Sequence, residues 1–412
     1  MGLSVRDSSY QPTTLGAALT QFVFDARKEW LISVLNSSDL GRLLLKGIIY
    51  RLIYYVSVFT LTVLMSRHYQ AASSGSIYYS ITILSWIILC LSFCIETAMN
   101  YYLASGLISP GKLTSVALVW TAGATVLSYC IFHWILPKSL ISLPLSFLYL
   151  FIMFIAGNLL ISFFSALFYA LKDFVSPNLL SFCFACTLIL IIPQKPPGPL
   201  AQDQFIRMYF ISFLIQGILF ILLFVLRYVP RMRIEFPSLG SLEMLLSFST
   251  WAFVTNGLTM VLCRIDYWFV NQYCNASDLG NYIQASKVGQ LLLVLPAVVS
   301  AAIFPMTASG MLPYPAKNIG SLARSLLLVS VILACSLVVA GNWIFPIVFG
   351  PSFSAMSLPF ALMTPGLLAF CVISPVTSYY GGRKILHVNL ISLVAAVTCM
   401  VALDALLVPG YG

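Results

Sequence analysis

Eleven apolar runs, each long enough to cross the ~30 Å hydrocarbon core of a bilayer at ~1.5 Å rise per residue, follow one another with short polar connections. They lie at about 44 to 66, 77 to 99, 113 to 136, 147 to 171, 177 to 193, 206 to 227, 245 to 270, 281 to 303, 321 to 349, 356 to 379 and 387 to 409. In lipid, every backbone N–H and C=O must be satisfied within the protein, so only helices and closed barrels can span. Barrel strands alternate polar and apolar residues, whereas these runs are continuously apolar, so the expected class is all-α and polytopic. The 8% of charged residues among 412 are too few for a soluble surface of this size.

A second pattern lies inside the first. "YQAASSGSIYYS" (Tyr69 to Ser80) returns as "YCNASDLGNYIQAS" (Tyr273 to Ser286), "HWILP" (His133 to Pro137) as "NWIFP" (Asn342 to Pro346), and "FYALKDFVSPNLLS" (Phe168 to Ser181) as "YYGGRKILHVNLIS" (Tyr379 to Ser392). Three echoes in the same order at slowly growing offsets indicate a duplicated helical unit. The expected architecture is two pseudo-symmetric bundles, as in many transporters. The first is expected over 44–227 with six helices and the second over 245–412 with five, joined by a basic linker at 228–244. The duplication predicts a partner of the sixth span after Gly412. Residues 1–43 form an N-terminal segment in which Leu19, Phe22, Val23, Ala26, Trp30 and Val34 recur at helical spacing opposite Asp25, Arg27, Lys28 and Glu29, the pattern of an amphipathic interfacial helix.

The formal net charge of +9 is explained by orientation. Fourteen Lys and Arg, from Arg6 to Lys384, flank the spans on the side of the N-terminus, against Arg67, Lys138, Lys195 and Arg207 on the other. That bias puts the N-terminus in the cytoplasm and removes the case for a nucleic-acid partner. No cleavable leader is expected, because the first span begins only near residue 44. "CFAC" (Cys183 to Cys186) falls within a span, where cysteine behaves as a small apolar residue, so neither a metal nor a disulfide is expected there. His68, His133 and His387 fall at span ends and read as interface residues. No cofactor is expected, and the G-x-x-x-x-G-K nucleotide loop does not occur.

The ionisable residues inside spans carry the functional expectation, since each costs at least ~2.5 kcal/mol at mid-depth and needs a partner, water or a role. They are Arg51, Glu96, Arg264, Asp266, Lys287 and Asp404. Arg264 and Asp266 point about 200° apart around a helix, so Asp266 is expected to pair with Lys287 and leave Arg264 to a cavity. Gln284, Lys287 and Gln290 form a polar stripe along the eighth span. Arg51 and Lys287 join Arg264 as cargo-binding candidates, and Asp266, Glu96 and Asp404 are candidates for ion coupling or charge pairing. Prolines at 296, 305, 346, 359, 365 and 375 mark potential hinges in the second half.

"CRIDYWFVNQYCNASDLGNYIQASKVGQLLLVLPAVVSAAIFP" (Cys263 to Pro305), "IFPIVFGPSFSAM" (Ile344 to Met356) and the C-terminal "NLISLVAAVTCMVALDALLVPGYG" resemble Wzx-type polysaccharide-repeat flippases of the multidrug/oligosaccharidyl-lipid/polysaccharide exporter superfamily. The resemblance implies two bundles in a V around a central cavity, an inner-membrane location in a bacterium, and a polyprenyl-diphosphate-linked oligosaccharide as cargo. It implies a non-enzymatic transporter serving O-antigen, capsule or exopolysaccharide assembly, with membrane lipid and polysaccharide-assembly proteins as partners. It also implies that Arg264, and less directly Arg51 and Lys287, meet the diphosphate, while Tyr54, Tyr55, Tyr78 and Trp251 offer rings for sugars. A multidrug exporter of the same fold and a membrane polysaccharide polymerase are the competing readings. The polymerase is disfavoured by outer loops that are short and poor in Asp, Glu and His.

Overall fold

The computed structural model describes residues 38–135, 148–192, 199–228, 235–308, 316–383 and 385–411. The amphipathic segment expected from Leu19 to Val34 lies outside the described residues. All eleven apolar runs form helices over their described residues, with breaks at Phe93–Cys94 and at Leu293. Eight described helices are long and apolar enough to cross a bilayer, and the difference from eleven has a local cause at three places.

The first helix, α1 (Ser38–Ser92), contains two spans. Its arms meet at Gln70, whose backbone leaves the helical region (φ 60, ψ 177). The Tyr78 hydroxyl donates to Met65 Sδ at 3.6 Å, thirteen residues back, which a straight helix would hold about 20 Å away. The chain therefore doubles back at a single residue where a ten-residue connection was expected. The second arm continues, after a break at Phe93 and Cys94 (φ 48 and 53), into α2 (Ile95–Ala104). The fifth span, α5 (Val175–Ile191), has 17 residues, at the short end of the range of about 17–25 for a crossing. The eighth is divided at Leu293 into α8 (Ala276–Leu292) and α9 (Val294–Ala308).

The first bundle is completed by α3 (Pro110–Cys130), which runs into a π-helical turn at Ile131–Ile135, by α4 (Leu148–Ala170) and by α6 (Pro199–Tyr228). Lipid tails are as apolar as leucine, so helices in a bilayer associate through close packing rather than through the hydrophobic effect. The α4–α6 contact, the most extensive in the molecule, follows that rule. A side chain on Gly157 would begin 2.4 Å from the Phe213 carbonyl, and Gly217 approaches the Gly157 carbonyl from the other side. Around this glycine contact Phe154 meets Phe210 and Phe213, and Phe168 meets Phe220 and Phe224, all edge to face.

The second bundle comprises α7 (Leu239–Tyr273), α8, α9, α10 (Ala316–Phe349), α11 (Ser357–Gly382) and α12 (Leu386–Tyr411). Here α11 packs on α8, α9 and α10, while α12 lies along α7. Pro346 lies inside α10, and Pro365 and Pro375 lie inside α11.

Candidate functional site

The two bundles meet through their repeated corners. At the end where α1 turns at Gln70, Gly75 and Gly280 approach so closely that a Cβ on Gly75 would stand 2.7 Å from Gly280 Cα. One on Gly280 would stand 2.0 Å from the Ala71 carbonyl oxygen. These glycines occupy equivalent positions of the two sequence echoes, so the internal repeat makes contact with itself. Hydrogen bonds extend the seam. Gln284 Nε2 donates to Ser66 Oγ at 2.7 Å, Asn281 Nδ2 to the Ser352 carbonyl at 3.2 Å, and the Ala71 amide to Ser352 Oγ at 3.1 Å. Arg67 donates to the Val348 carbonyl at 2.8 Å and also to that of Ile347, capping the C-terminal end of α10 where the helix dipole favours a cation.

At the opposite end a separate contact joins α2 to α7. Tyr101 stacks on Phe248 at 4.9 Å, Phe93 on Phe253 at 5.0 Å, Asn256 Nδ2 donates to Cys94 Sγ at 3.4 Å, and the Tyr102 hydroxyl donates to the Met244 carbonyl at 3.2 Å. An ion pair between Lys112 and Glu235 at 3.8 Å adds a link at this end.

Between these two contacts lies the polar cluster. Arg264 donates through Nη1 to the Tyr267 hydroxyl at 2.6 Å and through Nη2 to Gln290 Oε1 at 3.1 Å. Lys287, one turn away from Gln290 on α8, sits over the ring of Tyr78, 2.7 Å from its centroid. Both cations thus have neutral partners. The expected Asp266–Lys287 pair is not formed. Asp266 turns to the other side of α7, where Oδ2 accepts from the Tyr282 hydroxyl at 2.8 Å and Oδ1 from the Tyr267 amide at 2.9 Å. A phenol and a backbone N–H replace the lysine as its partners. Tyr78, expected to offer its ring to a sugar, has that face covered by Lys287.

The polar stripe on α8 is distributed across the seam, with Gln284 bound to the first bundle, Lys287 resting on it, and Gln290 held between Arg264 and Ser286. The remaining candidates stand apart. Arg51 is exposed near the start of α1 and donates to the Tyr55 hydroxyl at 3.2 Å. Glu96 opens α2 with Oε2 buried and without a partner. Asp404 on α12 also has a buried, unpartnered oxygen, Oδ2, and lies near enough to Asp266 for the two charges to interact. Arg67 was not foreseen as a seam residue. Its signal was weak, a lone cation at the end of a span opposite a Gly-Pro pair, Gly350 and Pro351.

Two helical bundles, joined at paired corners and enclosing cations without carboxylate partners, define a membrane protein of the two-bundle transporter fold. The matches to known proteins agree. Residues 209–358 match the family described as "Polysaccharide biosynthesis protein". Among solved structures, the chain is similar to the Vibrio cholerae MATE transporter VcmN, with a TM-score of 0.62 at 12% identity over 89% of this chain and 86% of that one. It is similar to the MATE transporter ClbM, solved in complex with Rb+, with a TM-score of 0.54 at 12% identity over 87% and 85%. A MOP superfamily transporter from Pyrococcus furiosus gives 0.51 at 12% identity over 92% of each chain. No curated protein matches. At such identities the likeness concerns the fold, which is that of the MATE transporters.

Proposed function

We propose that this chain is a flippase that moves a polyprenyl-diphosphate-linked oligosaccharide from the cytoplasmic to the outer leaflet of a bacterial inner membrane, for surface polysaccharide assembly. The observation that carries this reading is the pairing of Arg264 and Lys287 with neutral groups inside the membrane span. A cation at this depth is expensive; Asp266 lies near enough to Arg264 for the two charges to interact but forms no ion pair with it, and a diphosphate arriving between the bundles supplies an anion in direct contact through charge-assisted hydrogen bonds. The polysaccharide-biosynthesis match over 209–358 covers α7, α8 and α10, so it includes both cations. Of the Pyrococcus furiosus protein it is said that a reversed pocket polarity suggests a different function, an indication that polarity can vary on this scaffold.

In this reading the N-terminus is cytoplasmic, and the α2–α7 contact closes the cytoplasmic side while the Gly75–Gly280 corner closes the outer side. Transport proceeds by alternate opening of these two contacts. Asp266 with Asp404 in the second bundle, and Glu96 in the first, are the carboxylates to which ion coupling is assigned. In cells lacking the protein, lipid-linked repeat units accumulate on the inner leaflet and surface polysaccharide is lost; undiminished surface polysaccharide would refute the assignment. Drug export on the same fold is the second reading, favoured by the buried, unpartnered Glu96 oxygen as a site for an organic cation. Raised sensitivity to cationic dyes in the same cells, with normal polysaccharide, would select it.

A further inference from the structure

Where the second arm of α1 meets α2, two consecutive residues with side chains stand in the left-handed region, Phe93 (φ 48) and Cys94 (φ 53). A Cβ makes that conformation costly, so such residues persist only where their surroundings hold them, and they collect at switches. Between Leu89 and Met99 the sequence contains neither glycine nor proline. Nothing local therefore prevents one continuous helix from running through both elements. The break is imposed by packing.

Side chains of both bundles hold it. In a continuous helix the Leu91 carbonyl would accept from the Ile95 N–H; here it accepts from Trp120 Nε1 on α3 at 2.8 Å. The Cys94 N–H, which a helix would aim at the Cys90 carbonyl, donates instead to Ser92 Oγ at 3.1 Å. The two left-handed residues are themselves the ones that meet α7. Phe93 stacks on Phe253 with the rings 5.0 Å and 25° apart, and Cys94 Sγ accepts from Asn256 Nδ2 at 3.4 Å. Beyond the break, Tyr101 on α2 stacks on Phe248. Restoring helical angles at both residues redirects α2 relative to the second arm, so the stacks on Phe253 and on Phe248 cannot both survive it.

We propose that the Phe93–Cys94 break is the hinge of the cytoplasmic contact: the helix is broken while α2 and α7 touch, and becomes continuous from α1 into α2 when they part. The inference rests on the reading of the α2–α7 contact as the closure of the cytoplasmic side. In the closed state, contacts between the bundles offset the strain of the left-handed pair. On opening, those contacts are lost, but the strain is relieved and the Leu91 carbonyl regains a helical partner. Each state thus has a compensation that the other lacks, which keeps the two close in free energy, and a ligand can then shift their populations by binding one better than the other.

The test uses the full chain in phosphatidylcholine nanodiscs. Spin labels attached through ketone-bearing residues at the exposed positions of Ser105 and Glu243 report the distance between α2 and α7, and hydrogen exchange is followed by mass spectrometry. Removing both stacks with Phe248→Ala and Phe253→Ala is expected to lengthen the distance and to slow exchange at Ile95 and Glu96 about tenfold, because their N–H groups gain helical partners. A static kink stripped of its covering rings would exchange faster. Adding Cys94→Gly, which adopts the left-handed angle without steric cost, is expected to return the open-to-closed ratio about tenfold towards closed. Trp120→Phe, which removes only the cap on Leu91, is expected to raise the open fraction about fivefold, the worth of one hydrogen bond, although it alters none of the contacts with α7. Lengthening with exchange at Ile95 and Glu96 unchanged or faster, or an open fraction indifferent to Trp120→Phe, would overturn the hinge and leave the closure reading intact. A distance unchanged by loss of both stacks would remove the closure reading, and the hinge with it.

Discussion

The two bundles descend from one pattern yet solve different problems. In the first, α4 is the best-covered span, 67% buried, and is held to α6 by facing glycines and interlocked phenylalanines. In the second, few residues of the α7 span and none of the α12 span are fully buried, but together with α8 these helices carry Arg264, Asp266, Lys287 and Asp404. Close packing and polar chemistry have been separated between the copies. A densely packed bundle behaves as a rigid body, while one that keeps charges at its surface has groups free to bind cargo or exchange partners.

The most severe test of this division is a pair of glycine substitutions. Gly157→Leu places a side chain into the Phe213 backbone and should cost about 3 kcal/mol or more, seen as loss of monodisperse protein on size exclusion. Gly257→Leu in α7, where nothing lies within 4 Å, should fold normally. If both fail alike, the first bundle is not the more tightly specified of the two. Next in size is Arg264→Gln, expected to lower transport of a lipid-linked oligosaccharide into proteoliposomes about a hundredfold, from loss of charge-assisted hydrogen bonds each worth about 1.5–3 kcal/mol. Lys287→Met should follow at about tenfold, since a single point charge offers no bidentate grip. The smallest effect is expected at the corner. Arg67→Met removes the cap on α10 and should cost about 1 kcal/mol, read as roughly fivefold faster hydrogen exchange in residues 345–356 with exchange in α4 unchanged.

The helices and their duplication were legible because a bilayer leaves the backbone one economical solution, so hydropathy alone locates the spans. The turn at Gln70 was not legible, since neither glycine nor proline marks it and its conformation is imposed by the packing of Tyr78 on Met65. The break at Leu293 was legible, because it falls in the turn before Pro296, which cannot bond the Leu292 carbonyl. For the site, sequence gave angular positions on single helices, enough to separate Arg264 from Asp266. It could not give neighbours. Asp266 was matched with the nearest opposite charge on α8, but a carboxylate in low dielectric is served equally by a phenol, and Tyr282 is the group that the α7–α8 corner brings within reach. Lys287 was expected to need an acid, and the quadrupole of Tyr78 stands in its place.

The meeting of Gly75 with Gly280 has an implication for ancestry. Equivalent positions touch one another only on or beside a two-fold axis, the arrangement by which a surface patch recognises a copy of itself. A polypeptide of half the present length, paired about that axis, would already have possessed this junction as a homodimer. Fusion then released each half to diverge, and the cations beside the junction belong to the half that gave up its packing.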